Sequence, residues 1–427
     1  MQIHVVKPGE TVFSIAAGYG VDPQRLAADN EVPATGALAV GQTLVVQFPR
    51  TVHAVAPGES LSSIAAQYGV SLRQLYRNNW PLQGRPDLIP GQRIVISYVG
   101  EKLGLLQSNS YAYPFISTTL LNAELPYLTY LTPFTYGVTE TGNLLPLDDE
   151  PLLASARNYG TAPMLHLSTL TEEGGFSSQR AVRILTDPQA QSRLIEDVLR
   201  TVEEKSFYGV DVDFEYIPGA QRQDYIDFLD RLHRSLTPRP LWAALAPKTS
   251  PDQPGLLYEA HDYGGIGAVV DGVLLMTYEW GYTAGPPMAV SPLPNVRAVL
   301  DYAVTEIPPE KIFLGMSNYG YDWPLPFVEG VTRAASLSNQ QAINLAIQYG
   351  TPIEYDDWAQ APHFTYWDGA GTEHQVWFED ARSQDARLRL VAEYGLKGVG
   401  YWNLMRPFSQ TWLTLNALYD IADISQT

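Results

Sequence analysis

Two rhythms of apolar positions divide the chain. Residues 3–30 (IHVVKPGETVFSIAAGYGVDPQRLAADN) lie over residues 52–79 (VHAVAPGESLSSIAAQYGVSLRQLYRNN) without a gap, and about half the positions are identical. Each copy closes on a turn followed by an apolar strand, at 38–46 and at 88–96. The pattern predicts strand, helix, helix, strand. Val5 and Val6 precede a Pro-Gly turn, and Thr11 stands where it caps a helix carrying Ile15, Ala16 and Tyr19. Gly20 follows as a helix terminator, and a second helix fills about 23–29. Units this small close a core only as a tight βααβ sandwich. We place them at 1–48 and 50–98.

Beyond residue 100 short apolar strands alternate with longer amphipathic stretches, the βα signature of a parallel sheet. Strands are predicted at 108–113, 127–132, 162–168, 209–216, 241–247, 272–278, 312–316 and 398–402. Helical patterns at 192–205, 222–236, 295–305 and 382–394 lie between them. Eight such units over 104–427 predict an α/β fold, a (β/α)8 TIM barrel. The gap from Met316 to Gly398 is too long for one unit. It predicts a small α+β insertion at about 323–380, with a helix near 338–349 and strands near 353–355, 364–367 and 375–378.

Charge narrows the function classes. The formal net charge is −19, and residues 1–100 are nearly neutral, so the acidity belongs to the barrel. An acidic body excludes nucleic acid as a partner and an electrostatic membrane anchor. There is no cysteine, hence no disulfide and no thiolate metal site. The first residues lack the basic and apolar regions of a cleavable signal peptide, and no apolar run approaches the ~20 residues of a membrane span. The 26 Tyr and 9 Trp serve a core and a sugar-stacking cleft equally well.

Candidate chemistry concentrates in Tyr208-Gly-Val-Asp-Val-Asp-Phe-Glu-Tyr216. On an extended strand Asp211, Asp213 and Glu215 share one face, and Val210, Val212 and Phe214 the other. In a barrel the acidic face turns into the lumen, where crowding and lost hydration raise at least one pKa. Catalytic groups of such barrels sit at the C-terminal ends of strands. An edge strand with a wet acidic face is the plain alternative. A Mg²⁺ or Ca²⁺ site is another, but no histidine pair or further acidic cluster completes it. Neither a metal nor a cofactor is expected.

Both parts resemble known families. The Pro-Gly-Glu-Thr/Ser turn, the Ser-Ile-Ala-Ala-x-Tyr-Gly-Val run and the closing asparagines resemble LysM modules, which bind N-acetylglucosamine-containing chains such as peptidoglycan and chitin. The resemblance implies a groove between the first turn (Gly9, Gly58) and the loop holding Asn30 or Asn79-Trp80. Asp211-Val-Asp213-Phe-Glu215 resembles the acidic signature of glycoside hydrolase family 18, with Tyr208 where that pattern begins with Asp. Leu275-Met-Thr-Tyr278-Glu279-Trp280 resembles the family's Met-x-Tyr-Asp, with Glu279 for Asp, and Gly400-Tyr-Trp402 resembles its last strand. The resemblance implies substrate-assisted, retaining hydrolysis. Glu215 would protonate the glycosidic oxygen, and the substrate's acetamido carbonyl would be the nucleophile. Asp213 would hold the acetamide N–H, Asp211 would share a proton with Asp213, and Tyr278 would donate to the acetamide oxygen. Trp402 would floor the subsite, Glu279 would orient Glu215 or the sugar, and Tyr111, Trp280, Tyr282, Tyr321 and Trp323 would line the cleft.

The run from Met276 to Pro292, Asn318-Tyr-Gly-Tyr-Asp-Trp323 and Val376-Trp-Phe-Glu-Asp-Ala-Arg-Ser383 are similar to spore peptidoglycan hydrolases of endospore-forming bacteria. That likeness implies an N-acetylglucosaminidase of cortex fragments during germination, placed in the coat and cortex region or the cell wall. The alternatives are the same chemistry on chitin or chitooligosaccharides, and a non-catalytic glycan-binding barrel. Retention of Glu215 weighs against the last.

Overall fold

Thr11 and Ser60 start equivalent helices, Val12–Tyr19 and Leu61–Tyr68, through matching capping boxes. Each hydroxyl accepts the backbone N–H three residues on, and Ser14 and Ser63 return the bond, stabilising each helix start by ~1 kcal/mol. Gly20 and Gly69 end these helices at φ +68° and +64°, a conformation that favours glycine. Second helices follow at Pro23–Asp29 and Leu72–Asn78. In the first unit Gln2–Val5 pairs antiparallel with Thr43–Val46, and in the second Pro49–Ala54 pairs with Arg93–Tyr98. The closing strands are shorter than the apolar runs because Gly41 and Gly91 (φ +84° and +85°) turn the chain just before them.

This computed structural model describes residues 1–171 and 174–424. Eight parallel strands run in chain order around a barrel: Gly104–Ala112, Tyr130–Pro133, Ala162–Ser168, Gly209–Asp213, Leu241–Leu245, Gly272–Leu275, Ile312–Ser317 and Gly398–Trp402. The last pairs with the first, from Gly398 beside Gln107 to Tyr401 beside Ser110, and closes the ring. A short extra strand, Tyr419–Ile421, lies parallel to the start of the first. Alternation explains the two cores. Val210 and Val212 pack outward with the helices, while Tyr111, Tyr130, Met164, Trp242, Leu274 and Phe313 fill the lumen.

Two strands that lead into candidate site residues end three residues earlier than predicted. The fourth stops at Asp213 and the sixth at Leu275, so Glu215 and Tyr278 lie beyond regular strand. Downstream of each strand the backbone leaves the extended region, with Tyr216 at φ +55° and Glu279 at +67°.

The insertion is a five-stranded antiparallel sheet in the order Ala335–Ser338, Tyr319–Pro324, Glu373–Trp377, Ala361–Trp367 and Glu354–Asp356. Helix Asn339–Tyr349 packs on it. The sheet begins at Tyr319, ahead of the expected 323, and its first two strands were not anticipated. Tyr319, Tyr321 and Trp323 alternate onto one face of the opening strand and pack against Ala289 and Val290.

The repeat units are docked on the barrel. Arg73 and Arg77 both reach Asp423, at 2.9 and 2.7 Å, and donate to the carbonyls of Leu128 and Pro126. Trp80 packs on Tyr127, which stacks on Trp412. In the first unit Gln410 exchanges two hydrogen bonds of 2.7 Å with Thr43. A Cβ on Gly41 would sit 1.9 Å from the carbonyl oxygen of Ile353, so only glycine permits that approach. No helix among the described residues is long and apolar enough to cross a membrane.

Candidate active site

At the C-terminal mouth of the barrel a cavity of about 560 Å³ is lined by Asp213, Glu215, Tyr278, Glu279 and Trp402, with Tyr111 at its base. Asp211 and Asp213 point inward from the fourth strand and are buried. The Tyr111 hydroxyl donates to Asp211 Oδ2 at 2.7 Å. The other oxygen of Asp211, and Oδ1 of Asp213, are buried without a hydrogen-bond partner among the described residues. His166, on the third strand beside Asp211 in register, brings Nε2 to 3.5 Å from Asp213 Oδ2. Thr135 holds its Nδ1 at 2.6 Å.

Burial governs the electrostatics. It lifts Asp211 to about 6 and Asp213 to about 7. It lifts Glu215 to about 9, and the charges of Asp213 and Glu279 push the same way. It lowers His166 to about 4, which leaves a neutral ring. The cavity therefore holds a glutamic acid that keeps its proton at neutral pH beside a carboxyl poised near its own titration. Tyr278 is pushed well above the usual phenol range, first by burial and then by the charges of Asp213 and Glu215, so its hydroxyl stays a donor.

Aromatic rings shape the rest. Trp402 ends the eighth strand and packs edge-on against Phe134 at 4.8 Å and tilted against Tyr111 at 5.5 Å. Phe176, Tyr216, Tyr258, Trp280 and Tyr282 surround the opening. Glu279 Oε1 accepts the hydroxyls of Tyr319 and Tyr321, so the insertion sheet holds this side chain. Of the expected cleft aromatics, Tyr321 lines an adjoining cavity instead, and Trp323 is wholly buried with Nε1 bound to the Gly285 carbonyl. No group of three or more His, Cys, Asp or Glu among the described residues is arranged to hold a metal ion.

Residues 164–406, more than half of the chain, match the glycosyl hydrolases family 18. The chain belongs to that family. Residues 4–47 and 53–97 each match the LysM domain. The chain is 40% identical to a cortical fragment-lytic enzyme of Bacillus subtilis, with 99% of both chains covered. It is 38% identical to the cortical fragment-lytic enzyme of Bacillus anthracis, with 97% of both covered. The solved spore cortex-lytic enzyme SleL of Bacillus megaterium superposes with a TM-score of 0.84 at 36% identity, covering 99% of each chain. A chitinase of Chromobacterium violaceum shares the barrel at a TM-score of 0.68 and 24% identity, over 73% of this chain and 98% of that one.

In the LysM modules the side chains of Asn30 and Asn79 turn inward and bind the backbone, and Asn79 also lines a cavity between the two modules. Asn30 donates to the carbonyls of Leu26 and Val45 and accepts from Val45 N–H. Asn79 does the same with Leu75 and Val95. Each ties a helix end to the closing strand, where an unpaired amide would be costly. In the family 18 barrel, sequence reasoning missed His166. Its signal was a polar residue on the inward period of Met164-Leu-His-Leu-Ser168.

Proposed function

We propose that this family 18 enzyme is a peptidoglycan N-acetylglucosaminidase that cleaves cortical fragments of the spore wall, with Glu215 as its general acid. The observation that carries the reading is Glu215 in one cavity with Asp213, Tyr278 and Trp402, where burial raises its pKa. A group whose pKa lies above neutrality is protonated when it meets the glycosidic oxygen, as an acid must be. Full-length similarity to cortical fragment-lytic enzymes supports the substrate class. Two LysM modules support retention on a polymer of N-acetylglucosamine, in the cortex or cell wall.

The nucleophile is the substrate's own acetamido oxygen. Asp213 lies on the same strand end as the acid, so it is placed to accept the acetamide N–H and to offset the positive charge that develops on the ring. Asp211 and Asp213 each keep a buried oxygen without a partner among the described residues and act on each other through charge, which supports a proton passing within that pair. Tyr278 donates to the acetamide oxygen. Glu279, committed to two tyrosine hydroxyls, positions the sugar rather than attacking it.

Digestion of purified cortex fragments beside chitooligosaccharides tests both halves of the reading. The expected result is new reducing-end N-acetylglucosamine from cortex at a higher kcat/KM than from chitooligosaccharide. Reducing-end muramic acid, or a preference for chitooligosaccharide, would overturn the substrate assignment. Cleavage of a glycan lacking the acetamide as fast as its acetylated counterpart would overturn the nucleophile.

A further inference from the structure

A second cavity, of about 290 Å³, adjoins the first along Trp402 and Glu279. Its floor is aromatic. Phe115 is 76% exposed and stacks on Tyr113 at 5.2 Å, with the planes 26° apart, presenting ring faces of the kind a sugar covers. Arg406 is the one cation among the residues lining the two cavities. Its charge acts on Glu279, yet one of its nitrogens is left over. Nη1 is buried and has no acceptor among the described residues, while the guanidinium carbon stands 5.8 Å from the Tyr319 ring centre. The carboxylate that shares this space, Glu279, is held by the hydroxyls of Tyr319 and Tyr321 instead. Two neutral donors thus take the hydrogen bonds of the resident anion, which feels the Arg406 charge without binding it, and Nη1 is left for another acceptor. A buried guanidinium nitrogen without a partner is costly unless a ligand supplies the acceptor.

We propose that this cavity receives the sugar neighbouring the reacting N-acetylglucosamine, and that Arg406 binds a carboxylate on that sugar's 3-O-lactyl arm. The assignment rests on the peptidoglycan reading above. Chitin has no such arm, so Arg406 is the residue that separates the two polymers. The carboxylate belongs either to the arm itself or to a short peptide attached to it, and bidentate pairing suits both.

The test compares the wild type with Arg406→Gln and Arg406→Lys on three soluble glycans: muramyl glycan stripped of peptide, the same glycan with peptide retained, and chitooligosaccharide. Arg406→Gln is expected to lower kcat/KM on carboxylate-bearing glycan by roughly ten- to hundredfold, the cost of losing a charge-assisted bond. On chitooligosaccharide it is expected to change little. Arg406→Lys should recover part of the loss. Whichever muramyl glycan suffers more identifies the source of the carboxylate. Equal loss on all three glycans, or no loss on any, would overturn the assignment; unchanged thermal midpoints keep misfolding from imitating the first outcome. Should the wild type cleave only chitooligosaccharide, the peptidoglycan reading falls, and competition decides Arg406 separately. Peptide-free muramyl disaccharide must then inhibit the wild type more strongly than Arg406→Gln, and equal inhibition would overturn the proposal.

Discussion

Two asparagines of the LysM modules and two aspartates of the barrel mouth are buried to the same depth and treated in opposite ways. Asn30 and Asn79 are each 2% exposed, Asp211 is 0% and Asp213 6%. Every polar atom of the two asparagine side chains is engaged by backbone at 2.7 to 3.0 Å. Asp211 and Asp213 each keep one buried oxygen without a partner among the described residues. A satisfied buried amide costs little and fixes a fold, whereas an unsatisfied buried carboxyl costs stability. Between these two pairs burial is equal and the hydrogen bonding differs; elsewhere Arg73 Nε and Glu124 Oε2 are also buried without a partner among the described residues, so unmet capacity marks a site only where several such groups face one cavity.

The largest expected effect breaks the catalytic side of this contrast. Glu215→Gln keeps the shape and removes the proton, so kcat on cortex fragments should fall by roughly 10²–10⁴, the usual worth of a general acid. Release of reducing ends under saturating substrate measures it. A variant as active as the wild type would move the acid elsewhere, and Glu279, on the same cavity, would be the next carboxyl to replace.

How much of this was readable from sequence differs between the same two regions. The period-two rhythm of Val210 and Val212 against Asp211 and Asp213 gave the inward acidic face, because alternation is a property of extended backbone alone. Where the extended backbone ends was not readable. It depends on Tyr216 and Glu279 adopting positive φ, and neither residue type advertises it. Asn30 and Asn79 showed through the repeat as shared positions, but sharing does not say whether an amide faces a groove or a strand. The docking of the modules was written in their differences. Arg73, Arg77 and Trp80 contact the barrel, and the first copy carries Gln24, Ala28 and Glu31 at those places. Only the assembled fold gives those substitutions a meaning.

A smaller effect sharpens the scaffold side. Asn79→Ala leaves the Val95 N–H and two carbonyls unpaired, along with the Arg25 Nη1 that reaches Asn79 Oδ1 at 3.1 Å. The expected cost is roughly 2–4 kcal/mol to the second module. It should appear as faster hydrogen exchange of that module's amides, with kcat on short soluble fragments unchanged. If exchange stayed at the wild-type rate while binding to insoluble peptidoglycan disappeared, the asparagine would belong to the groove after all.

The smallest effect connects the two sides through pH. Folding raises the Glu215 pKa from its ordinary value near 4.5 to about 9. Below the ordinary value the carboxyl is protonated in folded and unfolded chains alike, and the site carries no penalty. As pH climbs, the unfolded chain ionises freely while the folded one resists, so stability is lost up to the folded pKa and then levels off. Glutamine at 215 never ionises. Glu215→Gln should therefore match the wild type in thermal midpoint near pH 4 and exceed it increasingly toward pH 9. The gain should be a few degrees at most, because the carboxyl is only partly buried and solvent screens it. Thermal scans across that range measure it. An offset that stayed constant with pH would mean that the carboxyl reaches water freely in the folded state. The contrast between the carboxyls at the mouth and the satisfied asparagines of the modules would then lose its energetic basis at Glu215, even if the variant were inactive.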